Sequence, residues 1–350
     1  MNEKSKKPLV ALIFGGRGHE CDVSVAGAEY MLEIIDRERF SVLEIYINRS
    51  GEWRAPSKDG APSDTDRFTE EVIPCTRKSA GGFLLSGEFV TIDCAIPLLH
   101  GDYGEDGVVQ GTLENSKIRY IGCDTVCSAV CADKAFTKAV AERLGIPIAR
   151  YITSYGSEDT DSFISRVEEE LDYPMFVKPS RLGSSIGASC AISHEQLCEA
   201  VRLARALSPH VMVEEKISVE CELECAYFGT RDATLFSEIG KIEYPCGFYD
   251  YNSKYASHTI ARTSANADIS ESISKRIKRY SRTLANALGI RHLSRFDYFL
   301  SKTGDVIFNE VNTFPGFTES SLYPALIERA GIPCTDMVSL WITDAIKDGA

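Results

Sequence analysis

Residues 295–318 (Arg-Phe-Asp-Tyr-Phe-Leu-Ser-Lys-Thr-Gly-Asp-Val-Ile-Phe-Asn-Glu-Val-Asn-Thr-Phe-Pro-Gly-Phe-Thr) constrain the fold more than any other stretch. They read as two short strands, Phe296 to Leu300 and Val306 to Val311, joined by a Lys302-Thr303-Gly304-Asp305 turn. Acid interrupts both strands where a sheet ordinarily takes apolar residues: Asp297 in the first, Glu310 followed by Asn312 in the second. Side chains two apart on a strand project from one face, so Glu310 and Asn312 share a face, and pairing across the hairpin can bring Asp297 to them. Two carboxylates and an amide oxygen suit Mg2+, which takes one or two protein carboxylates and completes its shell with water and substrate phosphate. The competing reading is an acidic hairpin facing solvent. The Asn312 to Thr318 run favours a site, because it ends the strand in a rigid, glycine-containing loop that lets backbone approach a ligand.

The preceding chain reads as α/β. Leu9 to Phe14 is an apolar run of the kind that forms a buried parallel strand; it breaks into Gly15-Gly16-Arg17-Gly18-His19-Glu20, and a helix follows to about Asp36. Val42 to Ile47 and Val90 to Leu99 are further strands, 107–116 a helix and Arg119 to Ile121 a strand. Residues 49–80 are polar, rich in Gly, Pro and Ser, and show little periodicity. This is the grammar of an open α/β sheet. The glycine loop lacks the G-x-G-x-x-G spacing of a dinucleotide fold, yet it sets Glu20 at a strand's carboxyl end, where such sheets bind ligands. His100 opens a second polar, glycine-rich loop at such an end.

A single amphipathic helix is expected over 126–144, closed by Gly145-Ile146-Pro147 at a domain boundary. Beyond it come a strand near Ala149 to Thr153, a helix at about 158–171 and a strand at Met175 to Pro179. A strand at Ala188 to Ile192, a helix at Glu195 to Leu207 and further strands from Val211 follow. Helices at about 271–288, 322–330 and 335–347 complete the chain. Three domains are expected: 1–124, 125–212 and 213–350.

A net charge of −13 over 350 residues argues against nucleic acid or an anionic membrane as partner, so an anionic substrate needs a local basic pocket. Lys178, in an apolar strand just before Gly183-Ser184-Ser185-Ile186-Gly187, offers one: small residues can wrap a phosphate with backbone N–H groups and hydroxyls. Glu215 can accept from an exocyclic amine and Glu222 can take ribose hydroxyls; the aromatic, aperiodic Phe248 to Tyr255 segment reads as a lid. No run spans a bilayer, and the polar start has no signal-peptide apolar region, so a cytoplasmic protein is expected. None of the twelve cysteines forms a Cys-x-x-Cys pair; Cys123, Cys127 and Cys131, without a nearby histidine, read as small buried apolar residues.

Together these pieces resemble the ATP-grasp superfamily. Gly15-Gly16 with Glu20 and Val23-Ser24, His100-Gly101 with Gly104 to Gly107, Asp133-Lys134, and Lys178-Pro179 through Gly187 come in order. So do Tyr249-Asp250-Tyr251 with Lys254-Tyr255, Arg295-x-Asp297 and Glu310-x-Asn312-x-x-Pro315-Gly316. This order and spacing are similar to those of the D-alanine–D-alanine ligases, from about residue 9 to residue 340.

The resemblance implies an α/β and α+β ATP-grasp fold with an N-terminal open parallel α/β (pre-ATP-grasp) domain, ATP and D-alanine as substrates, two Mg2+ ions for which Mn2+ can stand in, and a homodimer. In the implied reaction one D-alanine carboxylate attacks the ATP γ-phosphate, and the amine of a second D-alanine then attacks the acyl phosphate; the dipeptide serves peptidoglycan precursor synthesis. By the same resemblance Lys134 and Lys178 bind the α- and β-phosphates, with Ser185 in the phosphate loop and Lys254 near the γ-phosphate. Asp297, Glu310 and Asn312 hold the metal ions. Arg295 and the Gly316 N–H face the developing oxyanion. Glu20 takes the first substrate's ammonium with His100 beside it, and Ser184 links Glu20 to Tyr255. Ser321 and Leu322 receive the second carboxylate. Glu215, Lys216, Ile217, Glu222, Phe248, Tyr249 and Phe299 belong to the nucleotide.

Lys254-Tyr255 and Ser321-Leu322-Tyr323-Pro324 are similar to the D-alanine type. The 49–80 insert and the Asn-Thr-Phe-Pro-Gly-Phe-Thr run lean toward the vancomycin-resistance branch, which leaves D-serine or D-lactate open as acceptor. Two further readings compete. One is a carboxylate–amine ligase with another acceptor, which product mass separates. The other is a nucleotide-binding regulator without catalysis, which turnover excludes.

Overall fold

A computed structural model describes residues 7–243 and 262–347, arranged around three sheets. In the first, β1 (Leu9–Gly15) runs parallel to β2 (Ser41–Ile47) on one side and β7 (Cys94–Pro97) on the other, with α1 (Cys21–Ile34) between β1 and β2 in sequence. Val10 to Phe14 are fully buried, as an apolar run covered on both faces must be. Beyond β2 the sheet turns antiparallel through β3 (Trp53–Pro56), β4 (Phe68–Arg77), β5 (Ala80–Leu85) and β6 (Glu88–Thr91), in the order β6-β5-β4-β3-β2-β1-β7.

The polar stretch 49–80 therefore holds two strands, β3 and β4. It escapes sequence patterning because β4 buries only Phe68 and Val72, four apart, and leaves the rest partly or fully exposed. The expected Val90 to Leu99 strand is two strands. Asp93 breaks it by exchanging hydrogen bonds with Leu9: Asp93 N–H donates to the Leu9 carbonyl (3.0 Å) and Leu9 N–H to Asp93 Oδ2 (2.7 Å), which redirects the chain from antiparallel to parallel pairing. Arg119 to Ile121 contributes only an isolated bridge from Tyr120 to Ala95.

After α2 (Val108–Asn115), the single helix expected over 126–144 proves to be two, α3 (Thr125–Ala132) and α4 (Lys134–Arg143). Asp133 separates them. Its backbone is extended and its carboxylate accepts from the Ala135 N–H (3.0 Å), a helix cap that an uninterrupted apolar stripe does not reveal.

The second sheet is antiparallel, β10 (Ser189–Ala191)-β9 (Met175–Pro179)-β11 (His210–Glu215)-β8 (Tyr151–Tyr155), covered by α5 (Thr160–Glu170) and α6 (His194–Leu207). Because β11 runs to Glu215, a boundary after 212 falls inside a strand. The third sheet has the order β14 (Arg262–Ser264)-β13 (Thr234–Glu243)-β12 (Val219–Gly229)-β15 (Leu293–Ser301)-β16 (Val306–Asn312). Three helices complete the described fold: α7 (Glu271–Leu288), α8 (Leu322–Arg329) and α9 (Cys334–Lys347).

Two cores cross the expected boundaries. Met337 and Trp341 of α9 share a cluster with Leu12 and Phe14 of the first sheet and Phe228 of the third. Cys127, Cys131 and Ala141 of α3 and α4 join Leu223, Phe296 and Phe308 of the third sheet rather than the second. Among the described residues no helix is long and apolar enough to cross a membrane.

Candidate active site

A cavity of about 240 Å3 opens where loops after β1 and β7, the loop after β9, the start of α4 and the β15–β16 hairpin converge. The hairpin forms its floor. Its register sets Asp297 opposite Glu310 and Arg295 opposite Asn312, so these four side chains share one face. A bulge follows at once, and Tyr298 pairs with Phe308 instead of Asn309. The extra residue lets one strand present acid at this end and keep Tyr298 and Phe308 in the core.

Each acid already carries a cation. Arg295 Nε and Nη2 donate to Asp297 Oδ1 (2.8 Å) and Oδ2 (2.7 Å), and Asn312 Nδ2 donates to Asp297 Oδ2 (3.0 Å). Lys134 Nζ lies 3.0 Å from Glu310 Oε2. Burial alone would raise the Glu310 pKa, but Lys134 and Lys178 outweigh it and hold the carboxyl at about 2. Burial likewise opposes the charge on Lys134, and Glu310 overturns that, so the ammonium titrates above the ordinary lysine value.

Among the described residues no three His, Cys, Asp or Glu side chains gather as a metal cage. Two carboxylates and an amide are still a sound donor set for Mg2+: hard oxygens, few in number, with most of the octahedral shell left for water and phosphate. Asp297, Glu310 and Asn312 fit such an ion.

Lys178 comes near Glu310 and Lys134 by a different route. Glu214, at the end of β11, takes Lys178 on Oε2 (2.6 Å) and Lys138 on Oε1 (2.8 Å). All three are buried. Burial would raise Glu214, yet Lys138 and Lys178 draw it down to about 2. Lys178 ends below the ordinary lysine value, mainly through burial, with Lys138 and Lys134 adding repulsion against the attraction of Glu214.

Sequence reasoning missed both Glu214 and Lys138. The carboxylate it picked, Glu215, instead accepts from the Arg150 backbone N–H (2.9 Å) and from Arg150 Nε (3.1 Å). Since β11 is buried over Val211 to Glu214, no alternation marks which of the two acids faces the lysines. Lys138 was legible in principle, four residues after Lys134 on one helix face.

The phosphate loop sits over these lysines. Ser184, Ser185 and Gly187 all have positive φ, a strained backbone for the two serines of the kind found at functional sites. Lys134 Nζ donates to the Leu182 carbonyl (3.0 Å) and Ser184 Oγ donates to Glu20 Oε1 (2.5 Å), which brings the first and second sheets' loops together. Two glycines make room for Glu20: a Cβ on Gly101 would stand 2.5 Å from Glu20 Oε2, and one on Gly183 3.1 Å.

His100 Nδ1 lies 3.0 Å from the Phe314 carbonyl, and its Nε2 is buried without a hydrogen-bond partner among the described residues. Burial lowers its pKa against the pull of Glu20, so the neutral ring donates from Nδ1 and offers an Nε2 lone pair. Glu105, unassigned from sequence, accepts from the N–H groups of Gly101 (3.0 Å) and Phe314 (3.3 Å) and ties the two loops together; burial, then Glu20, raises it to about 8.

Glu222 and Phe299 pair across β12 and β15, on the same sheet face as Asp297. Lys216 is exposed and Ile217 half-buried at the end of β11. Gly316 lines the cavity. Ser321 caps α8 and accepts from the Thr318 N–H (2.9 Å), with Leu322 beginning the helix. Phe248, Tyr249, Lys254 and Tyr255 lie outside the described residues.

Comparison with known proteins identifies the family. The family profile for the D-ala D-ala ligase N-terminus matches residues 9–123, and that for the C-terminus matches residues 140–343. The chain is 36% identical to a D-alanine–D-alanine ligase of Chlorobium phaeovibrioides, covering 93% of this chain and 94% of that protein. It is 37% identical to one from Caldicellulosiruptor bescii, covering 97% and 96%. Among solved structures it superposes on the VanG D-Ala:D-Ser ligase from Enterococcus faecalis with a TM-score of 0.87 at 33% identity, over 97% of this chain and all of that one.

Proposed function

The chain belongs to the D-alanine–D-alanine ligase family, and from that premise we propose that it joins two D-alanine molecules into D-alanyl-D-alanine at the expense of ATP. It is an ATP-dependent ligase of a family that uses a divalent metal. One observation carries the residue assignment: Glu310 and Asn312 of the hairpin face, Lys134 and the Glu20–Ser184 pair line one cavity, with Asp297 paired opposite Glu310 and Lys178 near enough to lower the Glu310 pKa.

A carboxylate is a poor electrophile, so the first D-alanine carboxylate takes the γ-phosphoryl group of ATP, and ADP leaves. The amine of the second D-alanine then attacks that acyl carbon, and phosphate departs with the bonding electrons. Glu20, oriented by Ser184, holds the first substrate's ammonium, while the neutral His100 stands beside it. Lys134 and Lys178 neutralise phosphate oxygens, and Ser185 lies in the loop above them. Such transfer asks mostly for positioning and charge neutralisation. Arg295 and the Gly316 N–H face the oxyanion of the second step. Asp297, Glu310 and Asn312 would hold two Mg2+ ions (Mn2+ serving as well), which supply charge neutralisation on the phosphates. Ser321 and Leu322 receive the second carboxylate, and Glu222, Phe299, Lys216 and Ile217 border the nucleoside. Glu215 accepts from the exocyclic amine, while Glu214 seats Lys178 and Lys138.

We further place the enzyme in the cytoplasm as a homodimer supplying peptidoglycan precursors. Its domains divide near residues 124 and 216. D-serine as acceptor is the second reading, favoured by the likeness to VanG.

The test offers D-alanine with D-alanine, D-serine or D-lactate in the presence of ATP and Mg2+ and weighs the product. D-Alanyl-D-alanine as the dominant species is the expected result. D-Alanyl-D-serine would move the chain to the second reading, and phosphate release indifferent to D-alanine would overturn both.

A further inference from the structure

Arg295 is committed twice over. Its fork uses both oxygens of Asp297, the residue assigned to the metal, and its Nε also lies 3.2 Å from Glu224 Oε1. Glu224 stands on β12 directly opposite Asp297, and its other strand neighbour is Gly240, which presents no side chain. It is 3% exposed, and its Oε2 has no hydrogen-bond partner among the described residues. Burial pushes the Glu224 pKa up to about 8 against the pull of Arg295, and a buried carboxyl group with one oxygen unmatched calls for an explanation outside the fold.

We propose that Glu224 is the positioning residue that receives the Arg295 fork when Asp297 gives its oxygens to a divalent cation. The proposal rests on the metal and oxyanion assignments made above. Asp297 cannot keep a bidentate fork and also present its lone pairs to an ion, so ion and guanidinium compete for one carboxylate. Arg295 already touches Glu224 Oε1 through Nε. Turning the guanidinium about that contact brings a second N–H onto Oε2, which is the oxygen without a partner. The exchange is one fork for another: Arg295 stays paired and stays at the cavity, and Asp297 is freed. Without Glu224, Arg295 would either hold Asp297 against the ion or be left partly buried with its charge unmatched. No bond to substrate is required of Glu224; it acts through Arg295.

The first arm uses Mn2+ as probe on the full chain without substrate, read by the electron paramagnetic resonance of free ion. Arg295→Lys keeps the charge and loses the fork, and should tighten Mn2+ binding about tenfold. Glu224→Gln keeps the Oε1 acceptor but replaces Oε2 by a donor. It should weaken Mn2+ binding several-fold in the parent and leave it unchanged in the Arg295→Lys background. Equal weakening in both backgrounds means that Glu224 acts only as a nearby negative charge, and that overturns the proposal. No change in either background overturns it too.

The second arm measures turnover. Glu224→Gln should lower kcat about 10- to 100-fold, the scale of a lost hydrogen bond to a charged group, with KM for ATP moved less than about threefold. A folded Glu224→Gln with parental kcat sinks the idea. Should that variant not fold, Glu224→Asp, which keeps both acceptor oxygens on a shorter stem, is expected to retain a larger share of kcat than Glu224→Ala, and equal kcat in the two overturns the proposal. The Mn2+ arm needs no ligase activity, so it stands or falls separately from the assignment of D-alanine as substrate.

Discussion

Two charge systems at the candidate site are built on opposite plans, one fully buried and one only partly buried at the cavity. The Lys138–Glu214–Lys178 group sets one carboxylate between two ammonium groups, which leaves an excess of positive charge. On the hairpin face each carboxylate has its own cation, Arg295 for Asp297 and Lys134 for Glu310. The first arrangement is satisfied only when an anion arrives, which suits a phosphate-directed charge. The second has both hairpin carboxylates paired before any ligand arrives, with Arg295 also shared by Glu224, so a ligand must compete for it. The cavity thus pairs a fixed attractor with an exchangeable lock, and buried ion pairs are kept here for function rather than for stability.

The comparison predicts its largest effect on the lock. Asp297→Asn removes a charge from the exchangeable face and should cut kcat about a thousandfold, the upper range for loss of a preorganised electrostatic partner, in a phosphate-release assay at saturating ATP and D-alanine. Retention of more than a tenth of the activity would mean that this face is not where charge is handled.

Next comes the attractor. Lys138→Met strips one partner from a fully buried carboxylate, and urea unfolding should register a loss of about 3 kcal/mol, as for other broken buried pairs. Pairing it with Glu214→Gln should recover part of that loss. Simple additivity of the two losses would break the idea that the three charges act as a unit.

The smallest effect is a displacement on the alkaline side. Burial, reinforced by Lys138 and Lys134, lowers the pKa of Lys178, whereas Glu310 raises that of Lys134 in spite of burial. As pH rises, Lys178 therefore sheds its charge first, and ATP affinity should fall before the ordinary lysine range is reached. Lys178→Arg, which keeps its charge, should move that fall upward; an unmoved limb would exclude Lys178 as its source. At the acid end the sign differs. Glu214 and Glu310 have folded pKa values depressed to about 2. Their contribution is present above the unfolded carboxylate value near ~4.3 and is lost as pH falls from there toward about 2.

Much of this architecture was legible from residue order. The β1 run, the α7 span and the acidic hairpin face emerged because each has one strong period or one uninterrupted apolar stretch. The failures have local causes. Strands β3 and β4 lie in an extension of the first sheet with little burial, so alternation is weak. Asp133 splits a helix whose apolar stripe continues on both sides. Glu214 and Glu215 are adjacent in a strand that buries almost everything, and only its pairing with β9 tells them apart. Glu105 and Glu224 act through backbone N–H groups and a neighbouring strand, relations between distant segments that no window of sequence contains.

The strand order of the first sheet has a practical corollary. All its cavity residues leave from β1 and β7, while the antiparallel strands lie on the other flank, where β6 ends five strand spacings from β1, roughly 24 Å along the sheet. Additions at that rim, such as a reporter peptide spliced into the Ser86-Gly87 turn, would be insulated from the chemistry by the intervening strands. The enzyme carries its own handle on the side that turnover does not use.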